Sequence, residues 1–274
     1  MFSKKGKIMT TEKIEEKAKS NGFAVAEFRF KNAELLKRLF QAIGRFCDEP
    51  VFIISMDTLS IRQMDPSRVV MLDYKLDKHD FDEWHVHTPG VACFNIESVL
   101  KVVFSKLSKD TELEVFIDGK DGQIHFTLKD TRVRKRSFSM LQPMTEDIPL
   151  PRIDYKARYK IMAKQWQDDI IDMEKVSDSV KLLGYADKLV VKAEGDVVKG
   201  ENKYEKGSDL LLTAEVKEES KATYSLNHLK EHGVDPFLCD VASLELSTDM
   251  PLKITLDTQL GPLYHYIAPR IEEE

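Results

Sequence analysis

The chain has 274 residues and a formal charge of −6, with 42% hydrophobic and 32% charged residues. That balance excludes a disordered chain, and no apolar run approaches the ~18 to 20 residues of a membrane span. The acidic balance also excludes a surface that holds phosphate by its overall attraction, so any nucleic-acid contact must be local.

At roughly 100 to 200 residues per domain, the length suggests two domains. The cysteines, Cys47, Cys93 and Cys239, lie far apart with no C-x-x-C pair. Neither a disulfide framework nor a cysteine zinc site is indicated, and a reducing cytosol fits. The opening "MFSKKGKIMTTEKIEEKAKSNG" is basic, then acidic, and lacks the apolar centre of a secretory signal. It reads as a soluble polar extension over residues 1–22.

Residues 24–30, "AVAEFRF", alternate with period two and predict a strand. In "NAELLKRLFQAIGRF" the apolar Leu35, Leu36, Leu39, Phe40, Ile43 and Phe46 recur at three- and four-residue spacing, opposite a line of Lys37, Gln41 and Arg45. This is a helix with one core face and one basic face. The runs "VFIIS", "LSIRQM" and "RVVMLDYKL" form a meander, in which Asp65-Pro66-Ser67 suits a type I turn. A second amphipathic helix is predicted in "NIESVLKVVFSKL", burying Ile96, Val99, Leu100 and Val103 and exposing Ser98, Lys101 and Ser105. The strands "ELEVFI" and "QIHFTL" follow, joined by the glycine-containing hairpin loop "DGKDG".

Past "LQPMTEDIPLPR" the pattern starts again, displaced by about 130 residues. "YKARYKI" and the helix "AKQWQDDIIDMEKV" echo the first strand and helix. "SVKLL" and "KLVVKAEG" echo the meander, and "YSLNHLKEHG" echoes "FNIESVLKVV". Two copies of one α+β domain are implied, over 23–140 and 155–274, with a linker over 141–154; one large α+β domain is the alternative.

The densest group of metal-ligand side chains is "HDFDEWHVH", with His79, Asp80, Asp82, Glu83, His85 and His87. Imidazole and carboxylate suit several divalent metals, but the spacing matches no known motif, and a solvated connecting loop has the same composition. No nucleophile elbow, P-loop or G-x-G-x-x-G occurs. Asp168 and Asp169 fall on the polar side of a predicted helix, where solvation explains them. The basic run "TRVRKRSF", Thr131 to Phe138, has three readings that pattern alone does not rank. It could contact nucleic acid, act as an edge strand guarded by charge, or act as an edge that pairs with another subunit. The turn at Asp65 raises a further question, because Met64, Arg68, Val69 and Val70 crowd around it. They either pack into the core or form an exposed apolar patch.

With these residues in view, the chain resembles the sliding clamps of the proliferating cell nuclear antigen (PCNA) type, the archaeal ones especially. "MDPSRVVMLDYKL" is similar to the clamp segment MD-S-V-L-L and "IAPRIEEE" to the clamp C-terminus APKIE. "VSDSVKL", "KAEGD" and "STDMPLKI" are further similar stretches, and the ordered set spans about residues 24 to 274. The resemblance implies the α+β DNA-clamp fold: two similar domains per chain, helices lining a central hole and sheets outside, three subunits forming a ring around duplex DNA.

The implied function is that of a polymerase processivity factor without enzymatic activity or cofactor. It would tether a DNA polymerase, ligase and nucleases that carry a short docking peptide, and a separate clamp loader would open it. The ring would be a homotrimer or a heterotrimer, with no membrane partner, in the cytoplasm at the nucleoid if archaeal and in the nucleus if eukaryotic. The alternatives are a checkpoint-type clamp in damage signalling, or a metal-dependent hydrolase using the His79 to His87 cluster.

Carried onto this sequence, the resemblance implies DNA-facing Lys37, Arg38, Arg45, Lys101, Lys106, Lys175, Lys230 and His232. Asp168, Asp169 and Asp172 depart from the neutral or basic residues clamps commonly present on the third helix. It also implies a peptide pocket of Met64, Arg68, Val69, Ile148, Leu150, Pro251, Tyr266, Ile267, Ala268 and Pro269. The subunit seam would join Arg132, Arg134 and Arg136 to a strand carrying Glu201 and Glu205. That second edge also carries Lys199, Lys203 and Lys206, so its charge match is imperfect and hints at a related but different neighbour.

Overall fold

The computed structural model describes residues 17–108, 110–144 and 148–271, so most of the polar extension lies outside the described residues. The chain forms two compact units: Met1–Lys37, Asp48–Ile61 and Lys75–Glu146 in unit 1, and Arg38–Cys47, Arg62–Tyr74 and Asp147–Glu274 in unit 2.

In unit 1, β1 (Val25–Phe30) lies between β5 (Glu83–Thr88) and β7 (Glu112–Asp118). Strands β8 (Gln123–Lys129) and β9 (Val133–Ser139) complete the antiparallel order β5-β1-β7-β8-β9. Alternation positions this sheet: Ala26, Phe28 and Phe30 of β1 and Leu113, Val115 and Ile117 of β7 all turn inward. Strand β2 (Val51–Ile54) pairs with β6 (Gly90–Cys93) on one side and β3 (Thr58–Met64) on the other. Helices α1 (Ala33–Phe46) and α2 (Ile96–Val102) start in this first half of the chain.

In unit 2, the strands β14 (Leu211–Val216), β10 (Ala157–Met162), β16 (Val241–Leu246), β17 (Leu252–Thr258) and β18 (Gly261–Ile267) run in that order. They continue into β4 (Val70–Asp77), where Ile267 faces Val70 and Leu263 faces Tyr74. A second sheet has the order β13 (Lys199–Glu205), β12 (Lys188–Glu194), β11 (Ser179–Gly184), β15 (Ser220–Ser225). The helices are α3 (Ala163–Met173) and α4 (Leu226–His232).

The second half of the chain repeats the first strand for strand: β14-β10-β16-β17-β18 matches β5-β1-β7-β8-β9, and β15-β11-β12 matches β6-β2-β3. The repetition reaches single hydrogen bonds. The first amide of each helix donates to a loop carbonyl at corresponding places: Ala33 to Thr111 (3.0 Å) and Ala163 to Asp240 (2.8 Å), Ile96 to Asp48 (2.9 Å) and Leu226 to Asp178 (3.0 Å). Each of these bonds satisfies one of the amides a helix start leaves open, which lets α1 and α3 follow their strands almost directly. Beyond the last strand of each copy, Leu141 donates to Cys93 (2.8 Å) as Arg270 donates to Thr223 (2.7 Å).

Two expectations are corrected. The second helix ends at Val102, with Val103 as its C-cap donating to the Val99 carbonyl, rather than continuing through Leu107. The segment read as a connecting loop is instead a 3-10 turn, Lys78–Asp80, followed by β5 on the sheet edge. There Phe28 pairs with and stacks on Trp84, while the flanking His85 and His87 stay exposed.

Trp166 is the largest fully buried side chain, and it packs at 5.8 Å from the ring of Tyr204. Trp166→Ala is expected to cost about 3–5 kcal/mol of unfolding free energy, checked by urea denaturation.

Candidate partner-docking site and helix faces

The site grows from the turn between β3 and β4. The Asp65 carboxylate accepts the backbone N–H groups of Ser67 (3.1 Å), Val69 (2.8 Å) and Val70 (2.7 Å), and the Ser67 hydroxyl as well. Arg68 N–H closes the β-turn onto the Asp65 carbonyl at 3.0 Å. Burial pushes the Asp65 carboxyl up, but the donors from Ser67, Val70 and Val69 outweigh it and hold it below its ordinary value. Arg68 sits in the left-handed region with φ +58°, at a cost of roughly 1–2 kcal/mol that these bonds offset. The chain therefore leaves the turn with Met64 and Val69 half-buried and Arg68 exposed.

Two other segments of unit 2 close on this turn. Ala268 N–H donates to the Val69 carbonyl (2.9 Å), so the residues after β18 run beside it. The linker is tied by Arg62, which bonds the Ile148 carbonyl (3.4 Å) and the Asp73 carboxylate (2.9 Å). Ile148, Tyr266, Ala268 and Pro269 are half-buried and Leu150 is 36% exposed. Pro251 is also half-buried, and its carbonyl accepts the Tyr155 hydroxyl at 3.1 Å. One residue expected in the pocket does not line it: Ile267 is fully buried, because β18 alternates Leu263, His265 and Ile267 inward and leaves Tyr264 and Tyr266 on the other face.

The expected DNA-facing cations are mostly matched with carboxylates already. In unit 1, Lys37 lies 3.5 Å from Glu34 and Lys101 3.6 Å from Glu97, while Lys106 is exposed. In unit 2, Arg45 pairs with Asp235, Lys175 with Asp172 (2.9 Å) and Lys230 with Glu174 (2.8 Å). Arg38 is exposed and reaches the Phe237 carbonyl at 3.4 Å.

His232 is corrected: its side chain is only 9% exposed and meets the Phe46 ring edge-on at 5.3 Å, so it does not face solvent. Sequence reading missed Lys164, which is exposed and paired with Asp168, and Phe237, which is 79% exposed. Nothing in the periodicity marks Phe237, since it lies in a loop.

Near these groups is a cavity of about 410 Å³ lined by Ala42, Arg45, Lys164, Asp235, Phe237 and His265, among others. His265 is buried at its base, its Nδ1 3.3 Å from the Gly233 carbonyl, and burial pushes its imidazole down to about 4. Burial likewise lowers His232.

Both expected seam strands are sheet edges, β9 in unit 1 and β13 in unit 2. Their charges are partly used within their own sheets. Arg134 bonds Asp130 (2.6 Å) and the Lys106 carbonyl (2.8 Å), while Arg132 and Arg136 are exposed. Lys192 and Lys203 hold the Glu201 carboxyl down to about 2, and Glu205 is exposed. The histidine-rich segment does not converge: His79 sits 3.8 Å from Asp77 and His87 4.0 Å from Glu27. Among the described residues no group of three or more potential ligands could hold a metal.

Such a duplicated arrangement of sheets and helices, with an apolar patch beside a tight turn, is the DNA-clamp fold. Crystal structures titled PCNA from Thermococcus kodakaraensis (TM-score 0.83, 24% identity, 89% of this chain and all of that one) and from Entamoeba histolytica (TM-score 0.84, 19% identity, 90% and all) share it. Residues 25–148 match the family described as "Proliferating cell nuclear antigen, N-terminal domain".

Proteins named DNA polymerase sliding clamp from Pyrococcus furiosus and Thermococcus gammatolerans are 27% and 28% identical over 248 residues, 90% of this chain and 99% of theirs. Residues 25–148 thus match the PCNA N-terminal domain, and along most of its length the chain is similar to sliding clamps of the PCNA type.

His265 fixes an acid response. Its folded value lies below the 6.5 of an unfolded histidine, so its stabilising effect is complete above pH 6.5 and is lost as pH falls toward 4. Between pH 7 and pH 5 this should remove roughly 2 kcal/mol of unfolding free energy. Denaturant titrations at the two pH values, with His265→Gln as the variant that flattens the difference, check this.

Proposed function

We propose that this chain is a DNA polymerase sliding clamp: a subunit of a three-membered ring that encircles duplex DNA and tethers replication and repair enzymes without catalysing a reaction. The observation that carries the ring is the duplication. Within the chain, β18 of the second copy pairs with β4 of the first, from Leu263↔Tyr74 to Ile267↔Val70. The strands corresponding to these two, β9 and β13, are sheet edges. A chain that carries one made junction and the two halves of another joins head to tail, and such heterologous contacts close into rings. Arg132, Arg134 and Arg136 on one side and Glu201 and Glu205 on the other belong to this seam.

The domains run over 23–140 and 155–274, with 141–154 as the linker between them. Met64, Arg68, Val69, Ile148, Leu150, Pro251, Tyr266, Ala268 and Pro269 form the docking site for a short peptide with an aliphatic residue and aromatic anchors. Polymerase, ligase, nucleases and a clamp loader bring that peptide. Met64 gives the site a wall that adapts to several partners. Lys37, Arg38, Arg45, Lys101, Lys106, Lys175 and Lys230 face the DNA, with Lys164 added. No helix among the described residues is long and apolar enough to cross a membrane. The ring works wherever duplex DNA is kept, at the nucleoid or in the nucleus.

Native mass spectrometry at micromolar protein should give three copies; a monomer would sink the self-sufficient ring and point to other subunits. Ile148→Ser with Leu150→Ser should weaken a fluorescent docking peptide by more than tenfold while the circular dichroism stays unchanged. Unaltered affinity would place docking elsewhere.

A further inference from the structure

We infer that residues 17–24, which lead from the polar extension into β1, are an intramolecular strap: they fill a slot on the first domain and close the edge of β6 to pairing with a second copy of the chain. The strap lies ahead of the family-matched residues, which begin at 25, and wholly within unit 1.

The slot emerges when the two copies are laid on one another. Leu141 bonds Cys93 as Arg270 bonds Thr223, and Cys93 pairs with Val51 as Thr223 pairs with Lys181. By the same register Ile53 corresponds to Leu183 and Val91 to Lys221. Strand alternation sets Val51, Ile53 and Val91 on one face, opposite Phe52 and Ile54. At these places the second copy carries two lysines, and Lys221 is exposed. The first copy carries only apolar residues there, and Ile53 and Val91 are 5% and 1% exposed.

The strap is what covers them. Ala18, itself 1% exposed, forms a small apolar cluster with Ile53 and Val91, against which Phe23 and Val51 pack. Residues 17–20 are helical, and the Asn21 N–H returns to the Ala18 carbonyl at 3.1 Å. The Asn21 side chain donates to the Pro89 carbonyl at 3.1 Å, and the chain then runs beside β6 in a parallel bridge from Phe23 to Val91. Val91 N–H donates to the Gly22 carbonyl (2.8 Å) and Ala24 N–H to the Val91 carbonyl (2.9 Å).

Two glycines admit this backbone. A Cβ on Gly90 would stand 2.5 Å from the Gly22 carbonyl oxygen, and one on Gly119 would stand 2.6 Å from that of Phe23. Neither position has room for a side chain. In the second copy the corresponding edge is served by its own loop instead: Lys221 N–H bonds Thr248 Oγ1 (3.3 Å) and the Lys221 carbonyl accepts the Asp249 N–H (3.0 Å).

β6 ends its sheet. Without the strap it would present unpaired backbone at Val91 beside three apolar side chains, the combination that invites another strand to add. In a chain whose proposed ring is joined by sheet edges, such an edge competes with the seam. That consequence rests on the ring reading, whereas the strap itself does not.

The test compares the full chain with a form lacking residues 1–21 and with Ala18→Asp, by amide hydrogen exchange, thermal unfolding and native mass spectrometry at micromolar concentration. Both changes should speed exchange of the Val91 amide by about tenfold or more and lower the melting midpoint by roughly 3–8 °C. The shortened form should also gain species heavier than the full chain's own assembly. Val51→Lys with Val91→Lys, the second copy's residues, should remove those species from the shortened form. Exchange and melting left unchanged by the deletion would overturn the strap. A shortened form that opens at Val91 yet gains no heavier species would overturn its guarding of the edge. A full chain that runs as a monomer would overturn the ring reading and leave the exchange result to decide the strap.

Discussion

The antiparallel seam between β18 and β4 is the contact on which the rest depends. Five residue pairs join strands nearly two hundred positions apart, and Val70, Leu72, Tyr74, Leu263 and Ile267 beneath them are excluded from water. Burial of that size contributes on the order of 10 kcal/mol before entropy is counted. The register also brings the residues after β18 alongside the β3–β4 turn, where Ala268 can bond Val69. Without this pairing the candidate docking patch would lose the wall formed by the residues after β18.

Within that frame, Asp65 acts as a small organising centre. One carboxylate gathers three amides and a hydroxyl, so the turn satisfies its own polar groups. Met64 and Val69 are left half-buried beside it. A partner docking here, as proposed, would meet a turn already held by its own hydrogen bonds, and less binding energy would be lost to entropy.

Much of this was legible in the sequence because the copied segments keep their periodicity. β1, α1, the meander and their echoes near residues 157 and 163 stand out for that reason, and the clamp resemblance rests on the segments around Asp65 and at the C-terminus. What escaped did so for physical causes. β5 is an edge with polar residues on its outer face, so its alternating Trp84 and Val86 were hidden among histidines. α2 reads too long because Val103 and Phe104 continue the apolar pattern after the backbone has left the helix. Ile267 enters the expected pocket through the clamp resemblance, whereas strand alternation turns it inward. His232 and His265 became visible as a buried pair only once α4 and β18 were in place.

The way the lysines of the helix faces are held has a kinetic consequence. Arg45, Lys175 and Lys230 each sit beside a carboxylate of their own chain, so in the proposed ring a passing phosphate would gain only a share of each charge and displace few condensed ions. The energy surface along an encircled duplex would then be shallow, with no deep well at any base step. A ring built this way behaves as a bearing: it stays on its track by topology, and its friction is set by water and counterions rather than by contacts that must break at each base pair.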